Sequence, residues 1–323
     1  MPRRLLPIRL AVFITLASSA LAQSPSTPPT AGAEGTIRIW GHGHRGQDYI
    51  LTLLRAWQSA FIQSHPGTRF VDELTGNASG LAGMYTNVAD LALLDREASF
   101  IEVDAYQQGA GYDPFRIPVA MGAVSTPHHA PAIKIFVNKS NPLTGLTMAQ
   151  LDGIFDADHR RADHSIRTWG DLGLTGPIAS HQIHVYTYPI QSAEIQFFER
   201  AALKGSQKFG WGLHLIPTAA QIAAATARDP DGLALTVAPE PALKPLPIDG
   251  ALPTAAAIQD GSYPLARTIY LYANRKPKSA VPPNVAAFLD FIVSPEGQAI
   301  VARTGGYLPL PPDAAAKARE ALQ

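Results

Sequence analysis

The feature that most constrains this chain is an alternation of short apolar strands and amphipathic helices that begins at Thr36. Ile37 and Ile39 alternate with polar residues over Thr36 to Trp40, the period of a half-buried strand. Ile50, Leu53, Leu54, Trp57 and Phe61 then recur at helical spacing, with Asp48 at the expected N-cap and His65-Pro66-Gly67 as the stop. Arg69 to Leu74 reads as a second strand. A polar turn, Thr75 to Gly80, leads to a helix over Leu81 to Val88, and Ala89 to Leu94 reads as a third strand ending at Asp95. Strands and helices in this order build a parallel sheet. Such sheets take their ligands at the carboxyl ends of the strands.

The same grammar continues. Ile117–Val124, Ile133–Asn138, Ile183–Tyr188, Leu233–Val237 and Thr268–Ala273 read as strands. Helices are expected from a Thr147 cap to Phe155, over Ser192–Leu203, over Ala219–Ala227, and as a closing pair at Val285–Val293 and Pro295–Thr304, which Gly305-Gly306 ends. Pro239 to Pro253 is proline-rich and reads as irregular.

Ahead of Thr36, Arg3, Arg4 and Arg9 precede an apolar run from Leu10 to Ala20, and Ala20-Leu21-Ala22 has the form of a signal-peptidase site. Residues 1–22 therefore read as a signal peptide, too short to span a bilayer, and residues 23–35 as a flexible linker poor in core-forming residues. The chain has no cysteine, so disulfides, thiol catalysis, thiolate metal sites and a lipidated N-terminal cysteine are excluded. It carries 26 basic and 26 acidic residues, and losing three arginines with the leader leaves an acidic excess. No basic run offers a nucleic-acid surface. The expectation is a periplasmic or secreted, soluble monomer without a cofactor.

Six segments carry a family resemblance. Val137-Asn138-Lys139-Ser140-Asn141-Pro142-Leu143, Leu146 to Phe155, Trp169-Gly170-Asp171-Leu172-Gly173, Gly261-Ser262-Tyr263-Pro264-Leu265-Ala266-Arg267, Ser294-Pro295-Glu296-Gly297-Gln298 and Gly306-Tyr307-Leu308-Pro309-Leu310 occur in this order. Together they resemble the phosphate-binding proteins of bacterial phosphate ABC importers, within the type II periplasmic binding proteins. The resemblance implies an α/β, two-lobed fold, each lobe a mainly parallel sheet flanked by helices, with hinge crossover strands. One lobe would hold residues 36–122 and 267–323, and the other 123–266. It further implies hinge closure on a small-molecule or oxyanion ligand, and an ABC permease in the inner membrane as partner.

The resemblance also places the ligand loops. They fall on Asp48 and Tyr49, on Asn77, Ala78 and Ser79, on Asp95 and Arg96, and on Tyr188, Gln191, Ser192 and Glu194. In the last loop the chain departs from the family. Tyr188 stands where the family has an arginine, Ala193 replaces a glycine, and Glu194 replaces a threonine. Loss of a two-pronged donor and gain of a carboxylate both disfavour a bare oxyanion, so a changed ligand is expected.

His42 and His44 on the first loop are weak metal candidates, read more readily as exposed loop residues; His128-His129 lies near the expected hinge. No nucleophile turn, metal-binding helix or phosphate loop of known catalytic type occurs, so no catalytic residue is assigned. A sensor or scaffold without ligand remains the alternative, with a hydrolase on the same fold behind it.

Overall fold

Two five-stranded sheets organise the computed structural model, which describes residues 35–43, 49–210, 212–238 and 240–323. In chain order the first half runs β1 (Thr36–Gly41), α1 (Tyr49–Ser64), β2 (Arg69–Glu73), α2 (Asn77–Tyr85), β3 (Leu91–Leu94), α3 (Phe100–Ala110), β4 (Phe115–Met121), β5 (Lys134–Asn138) and α4 (Met148–Phe155). It continues with β6 (His184–Thr187), α5 (Ala193–Leu203), β7 (Leu213–Leu215), α6 (Ala219–Arg228), β8 (Gly232–Thr236), β9 (Leu243–Leu246) and α7 (Ala255–Gln259). The closing part is β10 (Thr268–Ala273), α8 (Pro283–Val293), α9 (Pro295–Thr304) and α10 (Pro312–Glu320).

The first sheet has the order β2-β1-β3-β10-β4 and the second β7-β6-β8-β5-β9. β1 runs parallel to β2 and β3, and β10 runs antiparallel to both β3 and β4. The second sheet repeats the plan: β6 is parallel to β7 and β8, and β5 is the reversed strand between β8 and β9. Each sheet is thus mainly parallel with one reversed strand in the fourth place.

The apolar periodicity explains the packing. Leu53, Leu54, Trp57 and Phe61 of α1 are buried against the first sheet together with Phe288, Leu289 and Ile292 of α8. The Trp57 indole N–H donates to the Gly297 carbonyl at 2.9 Å, joining α1 to α9. Phe155, Phe198, Leu233 and Leu235 fill the second core. Two segments cross between the sheets. Gly122 N–H donates to Arg267 O at 2.8 Å and Ile133 N–H to Leu265 O at 3.1 Å, and the Tyr263 hydroxyl reaches Ile133 O at 2.6 Å. These rungs tie the outgoing strand to the returning one, the arrangement of a two-strand hinge.

Several expectations need correction. α2 begins at Asn77, within the expected turn, because Gly76 at φ 138° makes the whole turn in one residue. The proline-rich segment is not wholly irregular: it holds β9, whose Pro245 is tolerated because β9 is an edge strand. α3, α7, α10 and β7 had not been anticipated. The expected leader, the linker as far as residue 34, and Asp48 as helix cap lie outside the described residues. Among the described residues no single helix is long and apolar enough to cross a membrane.

Candidate functional site

The carboxyl ends of β1, β3 and β8 meet the crossing segments at one place. β1 ends in Gly41, whose φ is 134°; a Cβ there would lie 2.1 Å from the Leu93 carbonyl oxygen. Only glycine lets β1 and β3 approach this closely, and the approach delivers His42 beside Asp95. Asp95 follows directly on β3 and is buried. One carboxylate oxygen accepts from Asn77 Nδ2 at 2.8 Å, and the Asp95 N–H donates back to Asn77 Oδ1 at 3.2 Å. The other accepts from Arg267 Nη2 at 2.7 Å.

Burial by itself would raise the Asp95 carboxyl. The Arg267 guanidinium, His42 and the Asn77 hydrogen bond outweigh it and hold the group at about 2. Burial lowers the His42 imidazole below its ordinary value against the pull of Asp95, so this ring is neutral at pH 7. Its Nδ1 lies 3.8 Å from Asp95.

A cavity of about 300 Å³ opens above this pair. His42, Gly43, Tyr49, Ile50 and Asp95 line it from the first sheet's side, and Ala193, Glu194 and Val237 from the second. The crossing segments supply Pro127, His128, Ala130, Pro131 and Arg267. The Tyr49 ring stacks on His128 with centroids 4.7 Å apart, and His129 packs on Tyr307 at 4.8 Å. Ser192 caps α5 by accepting from Ile195 N–H at 3.3 Å, which sets the first turn of α5, Ala193 and Glu194, against the cavity.

Among the buried side-chain atoms without a hydrogen-bond partner, two donors lie at or near the Asp95–Arg267 pair: Arg267 Nε and the Tyr307 hydroxyl. Burial and the nearby Asp95 push Tyr307 upward, so its hydroxyl keeps its proton. Buried groups without partners are rare and expensive. Here Arg267 lines the cavity, where an incoming acceptor would satisfy its Nε, and Tyr307 lies close to the pair. Behind Val237, the buried Lys134 donates to Val237 O and to Ser125 Oγ, each at 2.9 Å. Burial lowers it to about 8, and it has no carboxylate partner among the described residues.

Of the residues singled out in the sequence, Tyr49, Asp95 and Glu194 line the cavity, Asn77 orients Asp95, and Ser192 caps α5. Ala78 and Ser79 occupy the first turn of α2, and the Ser79 hydroxyl is spent on Gly76 O at 2.8 Å. Arg96 is not brought to the cavity: Glu102 grips its guanidinium at 2.7 and 2.9 Å. Tyr188 is buried, its hydroxyl shared with Thr236 Oγ1 at 3.1 Å and with Val237 N–H. Gln191 faces another hollow.

That hollow, of about 1070 Å³, is larger but open, and exposed Phe100 and Ile101 stand at its edge. Among the described residues it contains no buried ion pair, so the smaller cavity is the better site. His42 lines the cavity, whereas His44 and Asp48 lie outside the described residues, among which no three His, Asp or Glu are grouped to hold a metal. Sequence reasoning missed Arg267, Tyr307 and Lys134. Arg267 and Tyr307 had been noticed only as letters in family segments.

The sequence profile of the PBP superfamily domain matches residues 44–296. The phosphate-binding protein PstS of Pseudomonas aeruginosa is 29% identical over 324 residues, 97% of this chain and 96% of that protein. Protein SphX of Synechococcus elongatus is 23% identical over 277 residues, covering 82% of this chain and 76% of its own length. Among solved structures, PstS from Borrelia burgdorferi superposes with a TM-score of 0.59 at 18% identity, covering 86% of this chain and 99% of that one. An ABC-type phosphate transport receptor from Vibrio cholerae gives 0.58 at 18% identity, covering 84% and 99%. These two structures share the two-lobed fold described above.

Proposed function

The chain belongs to the PBP superfamily, and from that premise we propose that it is the exported solute-binding component of an ABC importer, closing two lobes on a small solute above Asp95 and Arg267. The lobes are residues 36–122 with 267–323, and residues 123–266. One observation carries this reading: both sheets and both crossing segments contribute to a single cavity that holds a buried ion pair and the unpartnered Arg267 Nε. Closure about the crossing strands would shut that cavity on its content. The names of the relatives, a phosphate-binding protein and an ABC-type phosphate transport receptor, favour an ABC transporter as partner and a phosphoryl group on the solute, and the leader read in the sequence favours a periplasmic location.

The chemistry suits the anionic end of a solute. The first turns of α1 and α5 line the cavity, and helix N-termini carry a partial positive charge. Arg267 Nε and the Tyr307 hydroxyl add two desolvated donors. Binding is favoured over catalysis, because Asp95 already has a partner on each oxygen and, among the described residues, no activated nucleophile faces it. Calorimetric titration of the mature protein with inorganic phosphate and small phosphate esters tests the reading. Saturable binding that weakens at least about tenfold in Tyr307→Phe, a loss of about 1.4 kcal/mol, is expected. Absence of binding by every phosphoryl compound would overturn it.

A further inference from the structure

Resting on that reading of the cleft, we infer that the solute is a zwitterion: an amino-substituted phosphate ester or phosphonate, with its phosphoryl group at Arg267 and its ammonium at Glu194. The charge inventory of the cavity leads there. Asp95 is matched by Arg267 at 2.7 Å, and His42 is neutral. Glu194 is half-buried, lines the same cavity, and has neither an ion pair nor a side-chain hydrogen bond among the described residues. Among the described lining residues it is the one carboxylate without a counter-charge. A bare oxyanion entering the cavity would meet it as a like charge in a poorly solvated place. A solute that carries its own cation turns the same carboxylate into a partner.

Size and surface agree. A cavity of about 300 Å³ stands at the lower end for small organic ligands. The Tyr49 ring, backed by His128, forms part of its wall, and aromatic faces attract ammonium groups. Glu194 is the second residue of α5, after the Ser192 cap and Ala193, so its backbone belongs to the anion-attracting helix end while its side chain offers the opposite sign. One turn of helix can therefore read both ends of a short zwitterion.

The test is calorimetric titration with O-phosphoethanolamine, glycerol 3-phosphate and inorganic phosphate. The wild-type protein is expected to bind O-phosphoethanolamine at least about tenfold more tightly than the other two. In Glu194→Gln that preference disappears while phosphate binds as well or better, and Glu194→Thr gives the same result through a smaller side chain. Equal or tighter binding of phosphate or glycerol 3-phosphate by the wild type would overturn the inference and leave the anion site standing. Loss of phosphate binding in Glu194→Gln would overturn it too, since the carboxylate would then be accepting the oxyanion's proton. No binding of any of the three would overturn the anion site itself.

Discussion

Asp95 and Arg267, 172 positions apart in the chain, meet at 2.7 Å with almost no access to water. The contact fastens the end of β3 to the strand that returns from the second sheet, so the pair belongs to the binding site and to the hinge at once. On its second-sheet side the Arg267 guanidinium lies 5.8 Å from the Phe197 ring centroid on α5. Replacing Asp95 by Asn would leave that guanidinium buried without its counter-charge. Removing one partner of a buried pair costs roughly 3–5 kcal/mol. Asp95→Asn is therefore expected to lower the urea midpoint strongly, and the double variant Asp95→Asn with Arg267→Met to recover part of the loss.

The same pair sets an acid limit. The folded-state value of Asp95 is about 2 against an ordinary 3.8, so the unfolded chain takes up the proton first. The stabilisation is complete above the ordinary value and drains away as pH falls towards the folded one, about 2 kcal/mol in all. Urea unfolding followed between pH 5 and pH 2 is expected to show this loss, and Asp95→Asn to lack that share of the slope.

Lys134 acts with the opposite sense. Burial sets its folded value at about 8 against an ordinary 10.5, so between these the unfolded state binds more protons and stability rises with pH. The cost of the buried ammonium is present at pH 7 and relieved in alkali. Lys134→Met is expected to flatten the unfolding free energy between pH 8 and pH 10.5, although at pH 7 it also strands the Val237 carbonyl. An unchanged slope would show that another group titrates there.

Arg96 holds α3 against the end of β3 through its two bonds to Glu102. Arg96→Gln is expected to cost several kcal/mol of stability while changing the affinity for phosphoryl solutes by less than about twofold, a difference below 0.5 kcal/mol. Thermal denaturation read beside calorimetry separates the two effects.

Arg96 also shows why part of the site was hidden in the sequence. Asp95-Arg96 was legible as a strand-end pair, yet the arginine's partner lies on α3, which hydrophobic periodicity does not reveal. Phe100 and Ile101 of α3 are exposed and, of its residues, only Tyr106 is buried, so no apolar stripe marks it. The signal was the Ser99–Glu102 capping box, and reading it would have given Glu102 to Arg96. α1 was legible because it buries one clean face, and β3, β5 and β8 because each is a short, almost wholly buried apolar run. β9 was obscured by Pro245, and β7 has only three residues. Arg267 and Tyr307 carry no local sign of their role, since the groups that define them come from distant parts of the chain. Tyr188 had been placed at the ligand by position in a loop, whereas its hydroxyl serves Thr236 and Val237 inside the second lobe.

The most direct measurement is small-angle X-ray scattering of the mature chain, alone and with saturating O-phosphoethanolamine or inorganic phosphate. A lobe-closing receptor shows a smaller radius of gyration with at least one of the two, and the change is lost in Arg267→Met. Scattering curves that superpose with and without both compounds would refute the account.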